Sequence, residues 1–207
     1  MSPRGSSAAA GGVSRPTLAV IVPVFNEASG ITPTLEALAA QDDPDFDVVF
    51  VDNASTDASA EVIRAFAAER GLTRWSIVRE PHKGTGAAAD TGMRTAIAHG
   101  ATLLARTDAD CLPRHDWTAA MRRALETADL VGGELVSRYD EGLSLPRRIL
   151  LRAVIEFAEA FGRVRPSNRD PAHHGPYIMA AGCNVGITAA LYEAAGGFPR
   201  TAIEELH

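Results

Sequence analysis

The first two thirds of the chain alternate between continuous apolar runs and segments with helical spacing. Thr17 to Val22 and Phe46 to Val51 are runs of β-branched and apolar residues, which is typical of strands buried on both faces of a sheet. We expect Pro23 to stop the first strand and Asp52 to end the second. Three further strand patterns, "WSIVRE", "ATLLARTDAD" and "DLVGGELVSRY", are separated by segments with apolar residues three or four positions apart. This alternation predicts βαβ units and a mainly parallel α/β sheet with flanking helices.

The pattern changes near residue 138. A long helical segment, "SLPRRILLRAVIEFAEAFGR", has a broad apolar face formed by Leu150, Val154, Phe157 and Phe161. A polar Pro-rich loop, a strand in "IMAAGCNVGIT" and a short helix in "AALYEAA" lead to the last stretch, "GGFPRTAIEELH". That stretch has no helix cap or polar tail, so we expect the chain to stop within an element.

These patterns predict a simple domain organisation. The small residues of "MSPRGSSAAAGGVSRP" indicate a disordered tail over residues 1–16 and lack the apolar core of a signal peptide. Residues 17–207 are predicted to form one domain, with a first part over 17–137 and a second over 138–207. No apolar run approaches the roughly 20 residues that span a bilayer.

Composition narrows the class of protein. Apolar residues make up 46 % and charged residues 22 % of the 207 residues, as in a soluble globular protein. A net charge of −6 argues against a nucleic-acid partner, which would need basic stripes. The two cysteines, Cys111 and Cys183, form no zinc-binding pattern and demand no disulfide, so we expect a cytoplasmic protein.

Polar side chains follow three of the predicted strands. Asn26 and Glu27 come after the first strand, Asp52 after the second, and "TDAD" after the fourth. Because ligands of parallel α/β sheets bind beyond the carboxyl ends of the strands, we expect these groups to share one edge. Converging carboxylates require a partner, and either a divalent cation or the hydroxyls of a ribose would serve.

The spacing of Asp108 and Asp110 favours the cation. Residues two positions apart on an extended chain point to the same side, so both carboxylates are expected to face one space while Ala109 turns away. Mg²⁺ binds through one or two carboxylates together with substrate phosphates. An ordinary Asp-rich turn is the alternative.

The segment "GTGAAA", from Gly84 to Ala89, fits the dinucleotide-binding fingerprint, but its context does not. Two βα units precede it, whereas the fingerprint belongs to the first βα turn. We therefore reject a dinucleotide site. Lys83 and Gly84 still stand at a predicted helix N-terminus, where a phosphate can contact the backbone; a simple helix-entry loop is the alternative.

Together these motifs resemble a known family. "VIVPVFNE", "FVDNASTD", "KGTGAAADTGM", "TDAD" and "AGGF" occur in the order and spacing of inverting family 2 glycosyltransferases of the GT-A fold. The resemblance covers residues 17 to about 205. It implies an enzyme that uses a nucleotide-diphosphate sugar, with UDP-sugar expected, and Mg²⁺ or Mn²⁺. It also implies direct displacement by an acceptor hydroxyl; the acceptor and the oligomeric state are not implied.

Site residues follow from the resemblance position by position. The first part, 17–137, would bind the nucleotide and the second, 138–207, would form the acceptor side. Asp108 would contact the ribose or the metal, and Asp110 would ligate the metal. The residues that would line the donor are Pro23, Asn26, Glu27, Asp52, Lys83, Gly84, Gly182 and Asn184.

The chain departs from the family pattern in three places. The family often has "ARN" where this chain has "AAD", so that Asp90 replaces an amide, and Asn53 replaces the second acid of the usual "DD". The family's catalytic base lies in an acidic pair shortly after "GGF". Here Glu204 and Glu205 are the candidates, and a base beyond His207 is the alternative.

Two further alternatives follow from these departures and from the long helix. A missing base would leave a non-catalytic nucleotide-sugar binding module, and a nucleotidyltransferase would share the acids but require a Gly- and Arg-rich loop after the first strand. The long helix is expected to pack across the acceptor side. Because Arg147, Arg148 and Arg152 lie near its start, contact of residues 145–163 with an anionic membrane is the alternative.

Overall fold

The computed structural model describes residues 16–133, 144–164 and 182–200. Its six strands form one sheet in the order β3-β2-β1-β4-β6-β5. The strands are β1 Leu18–Val24, β2 Phe46–Asp52, β3 Trp75–Arg79, β4 Leu103–Thr107, β5 Leu130–Gly132 and β6 Asn184–Thr188. The helices are α1 Thr32–Ala39, α2 Ser59–Glu69, α3 Thr85–Ala98, α4 Trp117–Leu125, α5 Leu145–Val164 and α6 Ala189–Ala194.

The sheet is parallel from β3 to β4 and antiparallel on both sides of β6. The mainly parallel sheet predicted from the alternation of patterns is therefore confirmed. Because β6 runs against β4, its first residue, Asn184, pairs with the last residue of β4, Thr107. The start of β6 thus lies at the same sheet edge as the ends of β1, β2 and β4.

Pro23 does not stop the first strand, contrary to the prediction. It pairs with Val51 inside β1, and the strand continues to Val24. The pairing of β1 with β4 ends at Ile21, so beyond that point β1 has a strand partner on one side only. A residue without an N–H is tolerated in a strand where one side requires no donor.

Apolar clusters fill both faces of the sheet. Residues of α1 and α4, including Leu35, Leu38 and Met121, cover one face of β1, β2 and β4. The opposite face is covered by α3 and α6, through residues such as Met93 and Tyr192. The continuous apolar runs of the strands are explained by this burial on two sides.

Helix α3 lies unusually close to the sheet because its inner residues are small. Ala87, Ala88 and Ala89 are fully buried, and a Cβ added at Gly92 would lie 2.5 Å from Cγ2 of Ile21. Small residues therefore set the distance of α3 from the sheet and with it the position of its N-terminus. That N-terminus follows the loop after β3 and stands at the carboxyl edge of the sheet.

Helix α5 forms as predicted, but its apolar face does not pack across the domain as we expected. Leu150, Val154, Phe157 and Phe161 are 64 %, 54 %, 72 % and 53 % exposed. Phe157 and Phe161 stack on each other, with ring centroids 6.3 Å apart. None of the helices in the described ranges is both long enough and apolar enough to cross a membrane.

Candidate functional site

The loops that follow β1 and β2 are joined by hydrogen bonds. The amide of Asn26 donates to Oγ of Ser55 at 3.1 Å, and its side-chain oxygen accepts from the amide of Thr56 at 2.8 Å. The amide of Glu27 donates to Oγ of Ser59 at 2.8 Å. Asn26 and Glu27 are therefore held beside the loop that begins at the end of β2.

Backbone strain is concentrated in these two loops. Asn26 has a φ of 55° and Ala54 a φ of 58°, and among the described residues they are the only non-glycine residues with positive φ. Such conformations are costly and persist where surrounding contacts enforce them, often at functional sites. Asp52 stands between the strained loops and accepts a hydrogen bond from the amide of Ser55 at 3.0 Å.

The acidic loop after β4 is a turn rather than an extended chain. The amide of Cys111 donates to the carbonyl of Asp108 at 3.1 Å, and Ala109 is buried with its carbonyl accepting from Thr34 Oγ1 at 2.7 Å. Ala109 turns away as predicted. The chain is not extended over these residues as expected, and the shared space for the carboxylates of Asp108 and Asp110 stays a prediction.

Asp108 is bound to a buried arginine that sequence reasoning missed. The guanidinium of Arg106 donates to Oδ1 of Asp108 from Nη2 at 2.9 Å and from Nε at 3.3 Å, and Arg106 is only 6 % exposed. One oxygen of Asp108 is therefore already engaged by a cation. Its assignment to the ribose or the metal stays a prediction.

Asp110 lies close enough to Glu27 to affect its titration. Burial raises the pKa of Glu27, and the negative charges of Asp110 and Asp57 raise it further. Glu27 and Asp110 are 83 positions apart in the chain, so the fold has brought acids from two loops to one place. Glu27, which follows β1, and Asp110, which follows β4, therefore lie near each other at the carboxyl edge of the sheet.

The chemistry of these groups fits a divalent cation. Asp110 is exposed and close enough for its charge to act on Glu27, and hard cations prefer carboxylate oxygens. Within the described ranges, no three His, Cys, Asp or Glu side chains come close enough to enclose a metal. A cation here would therefore draw its remaining ligands from water or from substrate phosphates, as Mg²⁺ commonly does.

Asn53 positions the loop that carries Lys83. Its Nδ2 donates to the carbonyls of Glu80 at 3.2 Å and His82 at 2.6 Å, while its Oδ1 accepts from the amide of Gly84 at 2.8 Å. The amide of Gly84 is thus already used inside the protein. Contact of that amide with a nucleotide, as predicted, would require this bond to be given up.

Lys83 lies beside an aromatic ring at the end of β1. Its Nζ is 5.2 Å from the ring centroid of Phe25, which is 45 % exposed despite its size. A large exposed ring next to a lysine offers a stacking face and a positive charge. Phe25 was missed because an aromatic in "VPVFNE" looks like one more apolar residue of the strand.

Gly182 and Asn184 connect the second part of the chain to the acidic loop. A Cβ added at Gly182 would lie 3.3 Å from Nη1 of Arg106, the residue that holds Asp108. Asn184 Oδ1 accepts from Nε1 of Trp117 at 2.8 Å. Both predicted residues therefore lie at the carboxyl edge of the sheet, next to the end of β4.

A buried acid in the loop after β3 completes this edge. Burial by itself would raise the pKa of the Glu80 carboxyl, but hydrogen bonds from Thr91, His82 and Arg200 outweigh it and hold the pKa at about 2. Glu80 is therefore ionised at neutral pH. Sequence reasoning passed over it as one more polar residue of a loop.

The other residues considered for the chemistry are the candidate base and the two cysteines. Glu204 and Glu205 lie outside the described residues, so their role as the base stays a prediction. Cys111 and Cys183 are free thiols. Burial, reinforced by Cys183, raises the pKa of Cys111 to about 12, which favours the protonated thiol at neutral pH.

The sequence matches a family model described as glycosyl transferase family 2 over residues 19–189. The chain is 32 % identical over 134 residues to glycosyltransferase AglE of Haloferax volcanii, covering 61 % of this chain and 42 % of that protein. It is 29 % identical over 167 residues to a PGL/p-HBAD biosynthesis glycosyltransferase of Mycobacterium tuberculosis, covering 74 % and 64 %. The chain thus spans less than two thirds of the length of these relatives.

Solved structures share the fold. A mannosyltransferase from Pyrobaculum calidifontis in complex with GDP-Man and Mn²⁺ is 28 % identical, with a TM-score of 0.62 over 91 % of this chain and 49 % of that one. TarS of S. aureus in complex with UDP superposes with a TM-score of 0.62 over 89 % of this chain and 50 % of that one; at 18 % identity it supports the fold alone. These neighbours confirm the expected GT-A fold.

Proposed function

The chain belongs to glycosyl transferase family 2, and from this premise we propose that it transfers a sugar from a nucleotide-diphosphate donor to an acceptor hydroxyl. The observation that carries the proposal is the proximity of Glu27 and Asp110 at the carboxyl edge of the sheet, the edge at which β2 ends with Asp52. In open α/β sheets this edge is where ligands bind. A UDP-sugar is the expected donor, and the GDP-Man bound by the Pyrobaculum relative makes a GDP-sugar the competing one.

We assign the described side chains to the donor as follows. Phe25 offers its exposed face to the base, and Asp52 accepts hydrogen bonds from the base or the ribose. Lys83, at the N-terminus of α3, provides positive charge for the diphosphate. Asp110, with Asp108 or Glu27, would hold Mg²⁺ or Mn²⁺, which when bound offsets negative charge on the leaving diphosphate.

The proposed reaction is a direct displacement with inversion. The acceptor oxygen forms a bond to the anomeric carbon as the bond from that carbon to the diphosphate oxygen breaks. A carboxylate takes the proton of the acceptor hydroxyl. Glu205 is the proposed base, with Glu204 beside it, and a residue beyond His207 is the alternative.

A thermal-shift panel tests the donor site. A nucleotide that binds only the folded chain, at about 100 times its Kd, adds about 2.7 kcal/mol to the free energy of unfolding and raises the Tm by several degrees. We expect UDP or GDP to raise the Tm more with Mn²⁺ than without it. In Asp110→Ala the extra shift from Mn²⁺ should disappear while the smaller shift from nucleotide alone remains.

Incubation of the protein with donors and nucleoside triphosphates separates the transferase from the binding module and the nucleotidyltransferase. Slow release of UDP or GDP from UDP-glucose or GDP-mannose indicates a transferase, and binding without any release indicates a binding module. Release of pyrophosphate from a nucleoside triphosphate indicates a nucleotidyltransferase. An Asp110→Ala protein with an unchanged Mn²⁺-dependent shift would show that the metal assignment is wrong.

We also propose that α5 contacts an anionic membrane surface. Leu150, Val154, Phe157 and Phe161 are each more than half exposed, and the helix sequence contains four arginines and two glutamates. A helix of this kind lies in the interface with its apolar face in the lipid. Binding of the protein to vesicles, with variants of this face, measures the contact.

A further inference from the structure

Residues Gly196–Arg200, which follow α6, are packed directly on α3. Nη2 of Arg94 donates to the carbonyl of Gly196 at 3.0 Å. A Cβ added at Gly86, in the first turn of α3, would lie 2.3 Å from the carbonyl oxygen of Pro199. The Gly196–Arg200 segment therefore lies against the same helix end that we assign to the donor diphosphate.

Arg200 bridges two buried acids of this region. Its Nη2 donates to Oε2 of Glu80 at 2.6 Å, and its Nη1 donates to Oδ2 of Asp90 at 2.9 Å and to Oγ1 of Thr91 at 3.0 Å. The Glu80 and Asp90 side chains are 4 % and 1 % exposed, and that of Arg200 is 43 % exposed. A surface arginine thus satisfies two carboxylates that have left water.

Asp90 is the centre of the contact. It accepts from Nε of Arg94 at 3.0 Å to each oxygen and from the hydroxyl of Tyr192 at 2.8 Å, besides its bond to Arg200. Burial alone would raise the pKa of Asp90, but these partners lower it below its ordinary value. Asp90 is therefore a fixed anion, and removal of a cation would leave buried charge poorly compensated.

The same segment also lies near Arg106 at the end of β4. The ring of Phe198 lies 5.9 Å from the guanidinium of Arg106, which in turn holds Asp108. The amide of Phe198 donates to the hydroxyl of Tyr192 at 3.1 Å, which ties the ring to the Asp90 contact. The Gly196–Arg200 segment thus contacts both α3 and the arginine that binds Asp108.

We propose that Arg200, held by Glu80 and Asp90, is a positioning residue that fixes the acceptor side of the chain against the donor helix. This inference rests on the proposed function. Glu204 and Glu205 follow Arg200 by only four and five positions in the sequence, so an anchored Arg200 tethers the segment that carries the proposed base. Placement of a base matters because a misplacement of about 1 Å can cost two orders of magnitude in rate.

The negative charge of Asp90 strengthens its contact with Arg200. The family pattern often has an amide at this position, and an amide could accept a hydrogen bond from Arg200 but could not neutralise it. The aspartate and the arginine form a charge-assisted pair, which is stronger and more directional than a neutral hydrogen bond. Asp90→Asn is therefore expected to weaken the same contact from the other side.

Turnover measurements on the whole chain test the positioning role of Arg200. With UDP-glucose or GDP-mannose and Mn²⁺, we expect Arg200→Ala to lower the kcat of donor hydrolysis about tenfold or more, with the nucleotide Kd changed by less than about threefold. Arg200→Lys should recover part of the loss. Arg64→Ala, which removes an exposed ion pair with Glu61, is the control and should behave as wild type.

Hydrogen–deuterium exchange tests the contact without turnover. Arg200→Ala and Glu80→Gln should each speed exchange of the Phe198 amide, which donates to the hydroxyl of Tyr192, about tenfold, and leave the amides of β1 unchanged. Unchanged exchange at Phe198 overturns the proposal whether or not the protein binds a nucleotide. Faster exchange with unaltered kcat, or a Kd that weakens as much as kcat falls, also overturns it, since the anchor would then be structural or part of the donor site.

A wild-type chain that binds no nucleotide contradicts the proposed function instead. In that case slow exchange at Phe198 that depends on Arg200 would show a structural anchor only, and the positioning role would be wrong. The nucleotide Kd of the wild-type chain therefore separates failure of the proposed function from failure of the role of Arg200.

Discussion

Asn53 fixes the position of Lys83 relative to the end of β2. The side chain is 6 % exposed, and it donates two hydrogen bonds to carbonyls while accepting one from an amide. Only a carboxamide presents a donor and an acceptor in this arrangement. A carboxylate at the same position would place an oxygen against the carbonyls of Glu80 and His82.

This requirement gives a prediction for Asn53→Asp, the change that restores the usual acid of the family. We expect it to lower the free energy of unfolding by about 2 kcal/mol, because two buried carbonyls lose their donor and a charge is buried beside them. Urea unfolding at neutral pH measures the loss. Asp52→Asn, the opposite change one position earlier, keeps an acceptor for Ser55 and should cost under about 0.5 kcal/mol.

Equal stability of the Asn53→Asp protein and the wild type would contradict this role of Asn53. A loss that shrinks in acid would support it further, because a protonated carboxyl regains a donor.

Residue types at the strand ends were predictable, whereas their partners were not. Asn26, Glu27, Asp52 and Asp110 could be placed at one edge because parallel strands end together. The pairing of Asp108 with Arg106 depends on a buried arginine side chain that reaches the loop after its own strand, and an arginine inside an apolar run does not indicate that geometry. In the sequence, Asp90 is only a departure from the family pattern. Its partner Arg200 lies 110 positions away, so the ion pair could not be predicted.

Among the elements, α5 offers a direct test, because its exposed apolar face is proposed to bind an anionic membrane. We expect wild-type protein to bind vesicles that contain phosphatidylglycerol more tightly than vesicles of phosphatidylcholine, and less tightly at high salt. Phe157→Glu with Phe161→Glu should weaken that binding about tenfold or more, because both rings are more than half exposed on the apolar face. Co-sedimentation with vesicles measures it.

Leu130→Glu is the matched control, since Leu130 is 54 % exposed but lies on β5 rather than α5. It should bind vesicles as wild type does. Failure of the wild type to bind either vesicle, or equal binding by the double variant, would contradict the membrane contact and leave a protein partner as the occupant of this face.

Most elements were predictable because each satisfied a local rule. The two long apolar runs became β1 and β2, and the segments with helical spacing became α1, α2 and α4. The exposure of the apolar face of α5 could not be predicted, because a periodic apolar face indicates an amphipathic helix but not the surface that the face contacts. Pro23 failed as a stop signal because only the final sheet shows which side of β1 lacks a neighbour.

At the scale of the whole molecule, strand order determines the site. The order β3-β2-β1-β4 brings the loops after four parallel strands to one edge, and antiparallel β6 brings Asn184 to the same edge. The parallel part follows from the alternation of strands and helices. The insertion of β6 between β4 and β5 does not, because it depends on a return of the chain from α5 that no local pattern encodes.

The convergence of these loops is the central claim, and a crystal of the protein grown with Mn²⁺ and the nucleotide that gives the largest thermal shift tests it most directly. The anomalous signal of manganese should lie at the carboxylate of Asp110, with the diphosphate on the metal and the base between Phe25 and Asp52. A nucleotide bound elsewhere, such as the groove lined by Ile63, Ala67 and Trp75, or a manganese peak away from Asp110, would contradict the account.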